Sequence, residues 1–286
     1  MANQNLISRR TVVKSSIFGL LSVSIPNISY SKEIFEIKQK TKNKEGLFYR
    51  YPSIDDEIVN EVVGKSHFDL DRVMELVNKR RELSRAVWDW GFGDWESAIG
   101  AASHVGRRDI VEFLLSKGAK PNIFTFAMLG AFETVKSMIE FYPGIQKNYG
   151  PHGISLLQHA KAGLRMKDSM SQQQIENSES LIDYLENLGD ADGISYLEMT
   201  DDKEKYLGDY RYGDGEHDGF TVKLNMKKMI SLGKLGNSGG ALYKIGDNKF
   251  TYNGAPSIEI TFQIENNVVK SLTINEPDLT LVAKKI

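Results

Sequence analysis

The chain contains no cysteine. That absence removes disulfides, thiolate metal sites and a cysteine nucleophile together. It leaves the compartment open, since an exported protein can do without disulfides. Charge of one sign is equally scarce: 36 Lys and Arg face 38 Asp and Glu, a net charge of −2 across 286 residues. So even a balance sets up no field that recruits nucleic acid, and no Lys/Arg run with interleaved aromatics occurs. Also missing are a Gly-x-Ser-x-Gly elbow, a Gly-x-x-x-x-Gly-Lys phosphate loop and a His-Glu-x-x-His pair. These absences point to a non-enzymatic protein that needs no cofactor. The apolar fraction of 41% and charged fraction of 26% are those of an ordinary globular chain.

Residues 1–31 hold Arg9, Arg10 and Lys14 and no acid. Val12–Val13 and the stretch from Ile17 to Ile25 are apolar, and Ser29-Tyr30-Ser31 offers a small-x-small cleavage site. Together they read as a secretory signal peptide, too short and serine-rich for a membrane span. Ser8-Arg9-Arg10-Thr11-Val12-Val13-Lys14 resembles the twin-arginine export signal, with Val12 and Val13 where Phe and Leu are usual. The resemblance implies a bacterial, periplasmic protein with no stable membrane insertion after signal cleavage. An amphipathic N-terminal helix is the alternative. Residues 32–53 are charged and unpatterned, a linker in which Glu45 to Tyr51 are candidates to pack on the first helix.

Periodicity governs residues 54–192. From Ser97 to Asn122 the chain places small Ala101, Ala102 and Ser103 before Gly106. Ile110, Val111, Phe113, Leu114 and Leu115 follow on one helical face, closed by Gly118. Two short helices meeting at a glycine account for this pattern. Ala127-Met128-Leu129-Gly130 with Val135 and Ile139 repeats it, and Ser155-Leu156-Leu157-Gln158 opens it again before Gly163. Leu181 to Gly189 supplies the delayed second helix of that unit, after a polar insertion around Ser169 to Gln174. Phe68 to Val77 fits a second helix of an N-terminal unit begun by Ile58 to Gly64. The Ser97–Asn122 segment, with its Leu-Leu-x-x-Gly-Ala-x-x-Asn ending, resembles an ankyrin repeat, although Ser-Ala-Ile-Gly replaces the usual Thr-Pro-Leu-His. The resemblance implies an α-solenoid of about four units whose loops and concave face bind a protein partner, not yet identified. The unit at Gly130 has lost roughly one finger loop.

All three tryptophans, Trp88, Trp90 and Trp95, lie with Phe92 in one loop before the first full unit. Either they pack over the shortened unit or they anchor a partner. Gly150-Pro151-His152-Gly153 occupies the equivalent loop two units on. Trp88, Trp90, Phe92, Trp95, His104, Pro151 and His152 are therefore the expected partner-binding residues, lining a notch between the two loops. His104 and His159 near helix ends raise the question of a metal. Without a close His pair in sequence, structural histidines are the simpler reading and no metal is expected. The enzymatic alternative is a site built from His104, His152 and nearby acids.

Residues 203–286 change character. Alternating β-formers recur at 220–224, 241–245, 257–264, 268–274 and 280–283, separated by turn-rich breaks. About eight short strands predict a small antiparallel barrel or sandwich. Tyr206 to Tyr210 and Leu242-Tyr243-x-x-Gly246-Asp247-x-x-Phe250 resemble small β-domains appended to exported bacterial hydrolases. The expected whole is an α+β multidomain protein, an ankyrin α-solenoid followed by an antiparallel β-barrel or sandwich. Its expected role is a periplasmic protein–protein interaction scaffold; the alternative is a small-ligand carrier or sensor using the β-domain. Asp209, Asp214, Glu216 and Asp218 crowd one region, read as a solvated acidic turn, and Gly236 to Gly240 as a hairpin loop.

Overall fold

Among the described residues, eight α-helices in four pairs precede eight strands that close on themselves. The computed structural model describes residues 50–286 other than 194, 201 and 226. The expected signal peptide, 1–31, and most of the linker lie outside the described residues. Among those described, no helix is long and apolar enough to cross a membrane.

The pairs are α1 (Asp56–Lys65) with α2 (Leu70–Lys79), α3 (Ala98–His104) with α4 (Arg108–Ser116), α5 (Ile123–Met128) with α6 (Phe132–Phe141), and α7 (Leu156–Ala162) with α8 (Gln172–Leu188). Short polar side chains start them. Asp69, Ser97, Asn122, Ser155 and Ser171 each accept the backbone N–H three residues on, which satisfies a donor the helix itself leaves open. Ser171 and Gln174 cap reciprocally, so the polar insertion becomes the first turns of a 17-residue helix. The pairs turn alike: Arg107 N donates to Ala102 O and Ala131 N to Phe126 O, the six-to-one closure of a helix end.

Ile99, Ala101, Ala102, Ile110, Val111 and Leu114 are buried. So are Ile123, Ala127, Val135, Leu156, Leu181 and Leu185 of the neighbouring cluster. Each large aliphatic among them contributes about 1.5–3 kcal/mol by leaving water. The helices do not form the regular row that the repeat spacing predicts. α3 touches α5, as neighbours in a row do, but also α7, with α5 no longer fully between them. The short link between α4 and α5 and the small residues of α3 allow that approach: a Cβ on Gly106 would overlap Ala162 O at the end of α7.

The strands are β3 (Gly208–Arg211), β4 (Gly219–Leu224), β5 (Ile230–Lys234), β6 (Gly240–Gly246), β7 (Lys249–Tyr252), β8 (Ala255–Glu265), β9 (Val268–Glu276) and β10 (Leu279–Lys285). Each pairs antiparallel with the next, and β10 pairs with β3, closing an eight-stranded barrel. Alternation selects the inner face: on β8, Ile258, Ile260 and Phe262 are buried while Glu259 and Gln263 point outward. Tyr206, Tyr210, Leu232, Phe250, Phe262, Leu272 and their neighbours fill the interior. Residues Asp56–Ile286 form one compact unit, so helices and barrel pack together.

Candidate metal centre

Four side chains from four separate segments converge beside the seam between helices and barrel. They are His67, in the link after α1; Glu96, in β2 (Trp95–Ser97); His104, the last residue of α3; and His152, in a single 3-10 turn at Pro151–Gly153. One ligand atom from each lies within 4.8 Å of all the others.

Local structure places each group. Asp89 of β1 (Val87–Asp89) accepts the N–H groups of Gly91 and Gly93, folding the tryptophan loop into a tight turn and pairing β1 with β2. Glu96 thereby sits one residue before Ser97, the cap of α3, and His104 closes the same helix. Glu96 is wholly buried, His104 nearly so, and His67 and His152 are about one-fifth exposed. His152 has φ of 60°, a left-handed conformation that costs a non-glycine residue about 1–3 kcal/mol. Asp94 holds it there. One carboxylate oxygen accepts the His152 backbone N–H at 2.9 Å and the other accepts ring Nδ1–H at 2.7 Å.

The hydrogen bonds fix the tautomers. His67 Nδ1 lies 3.0 Å from Gly64 O, and a carbonyl only accepts, so Nδ1 carries the proton. His152 Nδ1 donates to Asp94 in the same way. In both rings Nε2 faces Glu96. Glu96 Oε1 is 3.0 Å from His104 Nε2 and 3.3 Å from His152 Nε2; Oε2 is 3.4 Å from His67 Nε2. Trp90 Nε1–H donates to Oε2 at 2.7 Å. Despite the short separation, Glu96 Oε1 and His104 Nε2 are buried and neither has a hydrogen-bond partner. Buried polar atoms without partners are rare and costly.

The electrostatics follow from this crowding. Burial alone would push the Glu96 carboxyl up, but the His104 and His152 rings outweigh it and hold the group well below the usual carboxylate range. Burial would pull His152 down, but Asp94 and Glu96 reverse the sign and push it up to about 10. For His104 burial wins over Glu96 and the ring is lowered. For His159 it wins outright, down to about 4.

The residues singled out in the sequence divide between this cluster and its surroundings. His104 and His152 are in it, and Trp90 borders it. Phe92 stacks edge-on against Tyr252 of β7, ring centres 4.8 Å apart, and so leans on the barrel rather than on the shortened helical unit. Pro151 lies against Gly100 of α3. Trp88 faces Glu96 across the β1–β2 pair, half-buried, and Trp95 is exposed. The two loops expected to flank a notch are joined directly by Asp94 and His152. His159 is buried one layer away, its Nδ1 donating to Ser155 O and its Nε2 without a partner. Asp218 accepts from Gly215 N within its turn, whereas Asp209 lies in β3 and accepts from the hydroxyl of Thr221, its cross-strand partner on β4.

Sequence reasoning missed His67, Glu96 and Asp94. Only the two acids flanking Trp95 hint at them, since the ligand atoms come from segments too far apart to leave a spacing. No protein family, curated protein or solved structure matches the chain.

Proposed function

We propose that this is a metal-binding protein, holding one divalent transition ion of the zinc class through His67, Glu96, His104 and His152. The observation that carries the reading is the pair of partnerless buried atoms, Glu96 Oε1 and His104 Nε2, facing each other at 3.0 Å. A cation between them satisfies both. Ligands about 2.0–2.1 Å from a tetrahedral Zn2+ lie roughly 3.3–3.4 Å from one another. Glu96 Oε1 lies 3.0 Å from His104 Nε2 and 3.3 Å from His152 Nε2, close to that spacing, and His67 Nε2 lies 3.4 Å from the other oxygen, Oε2. Imidazole and carboxylate donors suit Zn2+ and its neighbours rather than Ca2+ or Mg2+. Four protein ligands fill a tetrahedral shell, the pattern of a structural ion rather than a catalytic one. The partners that would orient the ligands are in place as well: His67 and His152 donate Nδ1–H to a carbonyl and a carboxylate, and Trp90 donates to Glu96.

The test is titration of chelator-stripped protein with Zn2+ against a chromophoric competitor. One ion per chain is expected, with affinity reduced at least about 100-fold in His104→Ala and Glu96→Gln, since each removes a ligand outright. The rival account is a buried ion pair in which protonated His152 is shared by Asp94 and Glu96. It is favoured if the wild type binds Zn2+ no better than His104→Ala does.

A second reading concerns what the ion supports. We infer that the four helix pairs are an irregular ankyrin-type stack serving as a non-enzymatic, periplasmic scaffold for a protein partner. The repeated cap–helix–turn–helix pattern around Ser97, Asn122 and Ser155 favours it. The side-chain-filled barrel weighs against the ligand-carrier alternative. A cross-linked pull-down from periplasmic extract tests the scaffold, and recovery of no protein would count against it.

A further inference from the structure

The fifth residue of the site, and its second acid, leads out of the helical region. Asp94 is 2% exposed, and its carboxylate is wedged against the turn between β7 and β8. Asn253 Nδ2 approaches Oδ2 at 3.5 Å, and a Cβ on Gly254 would overlap Oδ1. Asn253 is itself fixed in the barrel, its N–H donating to Ala241 O at 2.9 Å. The same carboxylate makes both hydrogen bonds that hold His152 in its left-handed conformation. A continuous path therefore runs from barrel turn to carboxylate to imidazole.

We propose that the barrel is part of the metal centre: the Asn253–Gly254 turn seats Asp94, and Asp94 is the positioning residue that aims His152 Nε2 at the ion. The proposal rests on the metal-binding reading above and adds to it. Metal affinity then depends on the barrel, which contributes no ligand, and by thermodynamic linkage the ion strengthens the seating of the barrel to the same degree. Partners that orient a metal-bound imidazole typically change affinity about 10–100-fold when lost.

Gly254→Ala tests this, because the added methyl displaces Asp94 while every ligand stays in the chain. Its control is Gly236→Ala. That glycine has a similar positive φ, 79° against 69°, but sits in the β5–β6 hairpin with nothing within 4 Å of the added carbon. Both variants carry comparable backbone strain in the barrel, so general destabilisation affects them alike. We expect Zn2+ affinity about 10–100-fold weaker in Gly254→Ala and unchanged in Gly236→Ala. Equal affinities in the wild type and Gly254→Ala, or equal losses in both variants, overturn the proposal. If Gly254→Ala does not fold, Asn253→Ala decides: weaker Zn2+ binding supports the path and wild-type affinity rejects it. A wild type that takes up no Zn2+ is a different result, which rejects the metal centre itself.

Discussion

At the scale of single residues, the cluster around Glu96 shows how much chemistry one buried carboxylate organises. Its Oε2 accepts from Trp90 Nε1. Trp90→Phe keeps most of the ring but leaves that oxygen short of a donor, a loss of about 1–3 kcal/mol. A lower urea midpoint with an unchanged slope is the expected result, and an unchanged midpoint would show the bond to be dispensable. His159 gives a pH signature instead. Burial lowers it to about 4, so between about pH 6.5 and 4 the unfolded chain takes up a proton there that the folded chain refuses. Stability therefore falls as pH falls through that window. His104 is lowered too and adds a slope of the same sign. His152 is raised, so it is protonated in both states there and adds none. His159→Gln should flatten the stability–pH curve across the window, measured by urea unfolding at several pH values; a curve parallel to the wild type's would contradict the assignment.

At the scale of elements, glycines do more than end helices. Gly106 and Gly189 have nearly the same φ, 73° and 75°, but only Gly106 abuts another element, the last carbonyl of α7. Each Gly→Ala change costs about 1–2 kcal/mol for the left-handed backbone alone. Gly106→Ala should cost measurably more than Gly189→Ala in matched urea unfolding, the excess reporting how tightly α3 lies on α7. Equal costs would mean the stack yields freely at that point. Much of this was legible beforehand. Gly106 and Gly130 mark the turns within pairs, and Gly118 the end of α4, because a helix needs a left-handed residue to reverse sharply. The strands were legible because Ile258, Ile260 and Phe262 alternate with polar neighbours. The direct approach of α3 to α7 was not, since it depends on which loop is short rather than on any helix's own pattern. The cluster around Glu96 was the least legible. His67, Glu96, His104 and His152 share no spacing, and His152 takes its position from Asp94, a residue of another loop.

At the scale of the whole molecule, helices and barrel from Asp56 to Ile286 form one compact unit, and the Asp94–Asn253 approach and the Phe92–Tyr252 contact cross between them. Cooperative unfolding follows. Phe262→Ala removes a ring 2% exposed in the barrel interior, a loss of about 3–5 kcal/mol. It should lower the thermal midpoint seen by far-ultraviolet dichroism, dominated by the helices, as much as the midpoint seen by near-ultraviolet dichroism of the barrel tyrosines. Two separated transitions would show that the parts unfold independently. Zn2+ at 100 times its dissociation constant should add about 2.7 kcal/mol to both signals together, and a chelator should remove it.

The closure of β10 onto β3 bears on how this protein can meet others. A sheet with free margins invites a passing strand, in aggregation and in peptide recognition alike. Every strand from β3 to β10 already has two neighbours. The short β1–β2 ribbon, the piece that carries Glu96, pairs only within itself and so keeps both its outer margins. A visitor that borrowed either margin would be gripping the same ribbon as the ion, and loading of the metal would set how firmly the handhold is fixed.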